Sequence, residues 1–261
     1  MKYAGCDIGT VAAKIVIVDD GQIVAHETLS YKNLPKQAAL DAMESALSHA
    51  NLTQEQIGYC LATGFGRKRV PYANGDMPEV VCICRAIRRL NPEIRTVIDA
   101  GGQSIRAFNI GDNGKVSDST ANEKCAAGTG KFIEVMAKAL ELPLDRLGPL
   151  SLASRNPLSI TSQCGVFAES EVITYVNEGK ERGDIIAGIN RSVASKICSL
   201  VRRITLKEQV VLVGGVAKNN GVVKYLEDDL GLKLTKLEID PQLIGALGAA
   251  LLAQERHSAS R

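Results

Sequence analysis

Residues 5–14 read Gly5-Cys6-Asp7-Ile8-Gly9-Thr10-Val11-Ala12-Ala13-Lys14, and residues 97–106 read Val97-Ile98-Asp99-Ala100-Gly101-Gly102-Gln103-Ser104-Ile105-Arg106. Each stretch runs from apolar residues through an aspartate and a glycine turn into a second apolar run. In each, a basic residue stands seven positions after the aspartate. The pattern reads as strand, tight turn, strand. Two copies in matching contexts point to an internal duplication.

Around the first copy, strands are expected over Tyr3–Ile8, Ala13–Val18 and Gln22–Thr28, the last after a turn at Asp19-Asp20-Gly21. A helix over Lys36–His49, a short strand over Tyr59–Ala62 and a helix over Glu79–Leu90 follow, with Pro92 closing the last. Around the second copy, strands fall at Thr96–Asp99, at Ile105–Ile110 and near Val116, beyond a turn at Asn113-Gly114. Helices are then expected over Gly130–Leu140, Val166–Val176 and Asp184–Ile204. A buried strand, Val210–Val213, runs into Gly214-Gly215. After it come a helix from Asn219, a strand over Lys233–Leu237 and a closing helix over Gln242–Ala253. Interleaved strands and helices place the chain in the α/β class. The expected domains are a first lobe over 1–94, a second over 95–239, and a C-terminal helix within 240–261 that packs back on the first.

The chain has 261 residues, enough to bury a sizeable core. Its 31 Lys+Arg against 29 Asp+Glu give no electrostatic signature of a nucleic-acid or anionic-membrane partner. Clusters such as Arg67-Lys68-Arg69 read as solvated faces. No apolar run reaches the ~20 residues of a membrane span, and the first residues lack a signal peptide's apolar stretch. The expected location is cytoplasmic. There the seven cysteines, at 6, 60, 82, 84, 125, 164 and 198, stay reduced. They are then buried hydrophobes, metal ligands or nucleophiles.

A glycine turn lets a phosphate approach backbone N–H groups, and a flanking carboxylate holds Mg2+ through its water shell. Asp7 and Asp99 are the expected catalytic carboxylates. Gly9, Thr10, Val11, Ala12, Ala13, Gly101 and Gly102 form the expected phosphate turns, with Lys14 in reach of a β- or γ-phosphate. Gly214 and Gly215 would let an adenosine lie against the chain. Together these make an ATP/ADP clamp. Ala127-Gly128-Thr129-Gly130-Lys131-Phe132 is not a P-loop, because Cys125 stands where its first glycine belongs and Phe132 replaces Ser/Thr. His26, His49 and His257 are scattered and suggest neither a hydrolytic triad nor a zinc site.

The paired hairpins and the Gly-Gly after a strand resemble the acetate and sugar kinase, Hsp70 and actin superfamily, which implies two duplicated ribonuclease-H-like lobes. Within it, five stretches resemble the activators of 2-hydroxyacyl-CoA dehydratases, of the BadF/BadG/BcrA/BcrD ATPase family. They are Leu61-Ala62-Thr63-Gly64-Phe65-Gly66-Arg67, Cys125-Ala126-Ala127-Gly128-Thr129-Gly130-Lys131-Phe132, Val166–Ile173, Ile185–Ile189 and Gly245-Ala246-Leu247-Gly248-Ala249-Ala250. The likeness covers nearly the whole chain. It implies a homodimer with one [4Fe-4S] cluster held by Cys125 and Cys164 of each subunit. It also implies Gln103 as a catalytic residue, and Gly128, Gly130 and Gln242 as further nucleotide contacts.

The implied activity is ATP-driven, low-potential one-electron donation to an iron–sulfur dehydratase or reductase acting on CoA thioesters, with a ferredoxin or flavodoxin as donor. Each of the two cysteines precedes an expected helix start, whose partial positive charge favours a thiolate. Cys6, Cys60 and Cys198 read instead as buried hydrophobes. Cys82 and Cys84 make a weak ligand pair, since i and i+2 point apart on a helix. The family commonly carries Gly-Gly-Gln-Asp-x-Lys in the second hairpin, where this chain has Ser104 and Arg106. A benzoyl-CoA-type reductase subunit, the reductase of a double-cubane cluster protein, and a sugar or acetate kinase remain alternatives.

Overall fold

The computed structural model describes residues 1–32, 34–122, 129–160 and 165–259. In chain order the first elements are β1 (Lys2–Ile8), β2 (Ala12–Asp19), β3 (Gln22–Ser30), α1 (Pro35–His49), β4 (Ile57–Thr63), β5 (Gly75–Asp76) and α2 (Glu79–Leu90). Then come β6 (Thr96–Ala100), β7 (Ile105–Ile110), β8 (Val116–Asn122), α3 (Gly130–Ala139), α4 (Leu144–Ala153), α5 (Gly165–Asn177) and α6 (Arg182–Val201). The last are β9 (Val210–Val213), α7 (Asn220–Leu230) and α8 (Ile244–Ala259). The chain divides into two compact units. One is Met1–Ile94 with Ile110–Ser117 and Leu237–Arg261, and the other is Arg95–Asn109 with Asp118–Lys236.

In the first unit the sheet order is β3-β2-β1-β4-β5, with β1 antiparallel to β2 and parallel to β4. Residues 4–8 and 12–18 are buried without interruption, the mark of strands covered on both faces. Ala38, Ala39, Ala42, Met43 and Ala46 of α1 close one face over Ala4, Cys6, Ile8, Ile15 and Ile17. On the other, Ala249 and Ala253 of α8 pack with Leu61 and Cys82. The small residues of α8 permit a very close approach. A methyl on Gly5 would overlap the Ala246 carbonyl, and one on Gly248 would overlap the Cys82 carbonyl.

The second unit repeats the plan. Its sheet order is β8-β7-β6-β9, with β6 antiparallel to β7 and parallel to β9. Ile98, Ala100, Ile105 and Ala107 pack against Phe132, Ile133, Met136, Ile185, Ile189 and Val193 of α3 and α6. The duplication extends to register: Asp7 pairs with Lys14 across β1 and β2, and Asp99 pairs with Arg106 across β6 and β7.

Two local readings change. The segment Lys233–Leu237 is not a strand. Thr235 donates one backbone hydrogen bond to Val210, while the Leu234 N–H goes to the Glu227 carboxylate, so no ladder forms. Helix α4 was not expected from the sequence. It is short, carries Pro149 inside it, and buries only Leu147, Gly148 and Ser151.

Candidate nucleotide site and cysteine segments

In the first unit Asp7 stands at the end of β1, where its Oδ2 is 2.7 Å from Lys14 Nζ. Both side chains are over nine-tenths buried. The turn between them closes with the Gly9 N–H on the Ala12 carbonyl at 3.0 Å. A methyl on Gly9 would lie 3.0 Å from Lys14 Nζ, so only a bare backbone leaves room beside the ammonium. Tyr31, just after β3, anchors this turn: its hydroxyl donates to the Gly9 carbonyl and its N–H to that of Val11. Burial raises the pKa of that phenol, keeping it protonated as a donor. Thr10, Val11, Ala12 and Ala13 complete the turn and the start of β2.

Glycines also wall Asp7. Thr63 pairs with it across the parallel β1–β4 ladder, and Gly64 follows at φ +84°. A side chain there would run into Asp7 Oδ1, and one on Gly245 would lie 3.1 Å from Oδ2. Gln242 precedes α8 in a turn where its N–H meets the Asp240 carboxylate at 2.9 Å.

The second unit has the same parts. Asp99, next to last in β6, is 6% exposed and lies 3.9 Å from Arg106 Nη1. The Gly101 N–H closes its turn on the Ser104 carbonyl at 2.9 Å. Gly214, after β9, has φ +89°, and a methyl there would overlap the Ala100 carbonyl and sit 3.1 Å from Asp99 Oδ1. Gly215 opens a 3-10 turn over Gly215–Lys218. Gln103 is exposed at the turn. The Gly101 and Gly102 carbonyls accept from the N–H groups of Gly130 and Lys131 at 2.9 and 2.8 Å. Two of the N–H groups at the start of α3 are therefore occupied by the turn.

Cys125, Cys164 and Gly128 lie outside the described residues. Their segments lead into α3 and α5, whose first turns are neighbours: a methyl on Gly165 would lie 3.5 Å from the Phe132 ring. The described cysteines are free thiols. Burial pushes Cys6 and Cys82 up to about 12 and Cys84 up to about 11. Cys60 and Cys198 are raised for the same reason. Their burial favours the thiol over the thiolate that ligates metals. Among the described residues no cluster of His, Cys, Asp or Glu is placed to hold a metal. A cubane needs four thiolates, so the donor set fits one only if Cys125 and Cys164 are joined by the same pair of a second chain. The carboxylates of Asp7 and Asp99, at the C-terminal ends of their strands beside glycine turns, fit a hydrated Mg2+.

Sequence reasoning missed Tyr31, Gly64 and Gly245 as parts of the site. Gly64 and Gly245 each fall in a glycine-bearing stretch that gave a signal, whereas Tyr31 gave none.

The sequence profile of the BadF/BadG/BcrA/BcrD ATPase family matches residues 4–253. The chain is 42% identical over 254 residues to the 2-hydroxyisocaproyl-CoA dehydratase activator of Clostridioides difficile, covering 97% of this chain and 95% of that protein. It is 40% identical over 257 residues to the activator of lactoyl-CoA dehydratase of Anaerotignum propionicum, covering 98% of each. A solved structure of the Clostridium difficile 2-hydroxyisocaproyl-CoA dehydratase activator with bound ADPNP superposes with a TM-score of 0.96 at 41% identity, over 100% of this chain and 97% of that one. A ROK family glucokinase from Streptomyces griseus matches with a TM-score of 0.58 at 14% identity, over 98% and 100%, and shares the fold alone.

Proposed function

The chain belongs to the BadF/BadG/BcrA/BcrD ATPase family, and we propose that within it the protein is the ATP-dependent activator of a 2-hydroxyacyl-CoA dehydratase. The observation that carries this reading is end-to-end similarity, at about two residues in five, to two activators named for different dehydratases. Likeness to a sugar kinase stops at the fold.

On this reading the two units are nucleotide-binding lobes, one of Met1–Ile94 with Ile110–Ser117 and Leu237–Arg261, the other of Arg95–Asn109 with Asp118–Lys236. The Gly9–Ala13 turn and the Gly101–Gly102 turn take the phosphates. Lys14 neutralises phosphate charge, while Asp7 and Asp99 orient a hydrated Mg2+. Gln103, exposed at its turn, positions the attacking water. Gly214, Gly215 and Gln242 border the adenosine. The support is physical: each turn places a glycine beside its carboxylate, and each carboxylate is held beside a cation by strand register.

Cys125 and Cys164 of two protomers would hold one [4Fe-4S] group, which supplies low-potential single electrons when bound. The five remaining thiols are buried hydrophobes on this reading. The partners are a second copy of the chain, a ferredoxin or flavodoxin donor and a CoA-ester dehydratase, all in the cytoplasm. No helix among the described residues is long and apolar enough to cross a membrane.

The test is anaerobic purification followed by iron, sulfide and nucleotide analysis. About four irons per dimer are expected, the content of one cubane, with ATP-dependent activation of a 2-hydroxyacyl-CoA dehydratase. Iron-free protein that phosphorylates a sugar or acetate would overturn the reading.

A further inference from the structure

Three helices of the second unit meet at a buried polar knot. Asn190, in the middle of α6, is fully buried, and its amide faces that of Asn219, the cap of α7. The two side chains exchange hydrogen bonds. Asn219 Nδ2 donates to Asn190 Oδ1 at 3.0 Å, and Asn190 Nδ2 donates to Asn219 Oδ1 at 3.3 Å. Asn219 Oδ1 also accepts from the N–H groups of Gly221 and Val222, at 3.0 and 3.3 Å. Glycines make the space: a methyl on Gly148 of α4 would sit 3.4 Å from Asn219 Oδ1, and one on Gly221 would press on Asn190 Nδ2. In a dry interior such directional bonds admit one arrangement, because letting go leaves polar groups unsatisfied.

The knot joins two functional segments. Asn219 directly follows the Gly215–Lys218 turn and donates its own N–H to Val216. Near the start of α6, Asp184 holds a strap, residues 154–160. Its carboxylate accepts from the Ser154 hydroxyl at 2.6 Å, and its carbonyl accepts from the Leu158 N–H at 3.0 Å. Gly188 lets the strap cross α6, since any side chain there would overlap the Leu158 carbonyl. Tyr175 of α5 donates to the Ser159 carbonyl at 2.9 Å, tying the strap to the helix on its far side. The next residues in the chain are 161–164, which end in Cys164. Between strap and α6 lies a cavity of about 380 Å3 bordered by Leu158, Ile160, Arg191 and Ser192.

We propose that α6 is a rigid link between the Gly214–Lys218 loop and the Cys164 segment, with Asn190 as the positioning residue that couples it to the nucleotide end. This rests on reading that loop as a nucleotide contact and Cys164 as a cluster ligand. A loop that shifts with nucleotide carries the α7 cap. Asn219 then carries Asn190, and α6 moves the strap at Asp184 and Gly188. From Asp184 to Asn190 the helix is continuous, so little motion is lost along it.

The test is hydrogen exchange of amides 154–160 in the full chain, with and without a non-hydrolysable ATP analogue, with analogue affinity measured on the same samples. In the unmodified protein the analogue should change strap exchange by about fivefold or more, the lower end of typical coupling between linked sites. In Asn190→Leu the analogue should still bind while the strap no longer responds. Asn219→Asp keeps the α7 cap but removes one donor of the pair, so it provides the same loss of response should Asn190→Leu fail to fold. An undiminished strap response in a folded variant would overturn the proposal, as would a bound analogue with no strap response in the unmodified protein. Failure of the unmodified protein to bind the analogue would instead overturn the nucleotide reading itself.

Discussion

Replacing Gly214 by alanine separates backbone geometry from composition. Gly214 has φ +89° and ψ 177°, a region that is essentially glycine-only and costs other residues about 1–3 kcal/mol. The added methyl would also overlap the Ala100 carbonyl, which ends β6 and cannot retreat without disturbing Asp99. Together these give a loss of about 3 kcal/mol or more, beyond the typical effect of a single substitution. For a unit of this size that is roughly a 6–12 °C fall in the melting temperature. Gly231 supplies the internal control. It too has positive φ, at +68°, but a methyl there meets nothing within 4 Å, so Gly231→Ala should cost only about 1–2 kcal/mol. Thermal unfolding of both variants, with analogue binding followed by fluorescence, reads the difference. Equal losses would refute the argument that close approach of β9 to β6, rather than dihedral strain alone, demands Gly214.

Further outcomes follow from the same geometry. Asp7→Ala strands the buried Lys14 ammonium and should cost about 3–5 kcal/mol; the added change Lys14→Met should restore part of that in urea unfolding, while hydrolysis of ATP stays lost and iron stays bound. Cys125→Ser or Cys164→Ser should abolish iron binding in anaerobic protein, whereas Cys82→Ser and Cys84→Ser should leave it intact by metal analysis. The thiols of Cys6 and Cys82 are raised by burial from 9.0 to about 12. Their contribution to stability is therefore complete below pH 9 and falls as pH rises toward 12, because the unfolded chain ionises first. Denaturation midpoints measured across that window should decline, and less so in Cys82→Ala.

The duplicated hairpins were legible because glycine, aspartate and β-branched residues all act locally there, and strand register then set Asp7 against Lys14 and Asp99 against Arg106. The run Gly245–Ala250 was legible as a motif, but its purpose was not. Only the fold shows that α8 crosses Gly5 and α2 so closely that side chains are excluded. Lys233–Leu237 misled because leucines among polar residues after a helix suggest a strand, while the Leu234 and Thr235 N–H groups are taken by Glu227 and a single carbonyl of β9. Helix α4 escaped because Gly148 and Pro149 break the propensity signal at a place where packing on α6 and α7 decides. Asn190 and Asn219 carry no signal of their own: two asparagines 29 residues apart become a pair only once the helices meet.

The two hairpins are alike in register yet differ in what grips their turns. In the first unit the Gly9 carbonyl is held by Tyr31 just after β3, so the turn is fastened to its own sheet. In the second, the Gly101 and Gly102 carbonyls are held by the first N–H groups of α3, so the turn is fastened to the helix that follows the Cys125 segment. A phosphate drawn to the first turn meets a fixed wall, while one drawn to the second pulls on a helix start. On the proposed function this asymmetry gives the second unit two attachments between nucleotide and cysteines: the Gly101–Gly102 turn to α3, and the Asn219–Asn190 pair to α6 and the strap. The first is made by backbone groups that only a proline would remove, and the second by side chains that an ordinary substitution can. Loss of the second alone should leave the Cys125 side of the cluster responsive to nucleotide. Hydrogen exchange over the first turn of α3 in Asn190→Leu should accordingly keep its nucleotide dependence, and its loss there together with that of the strap would mean that the two attachments act as one.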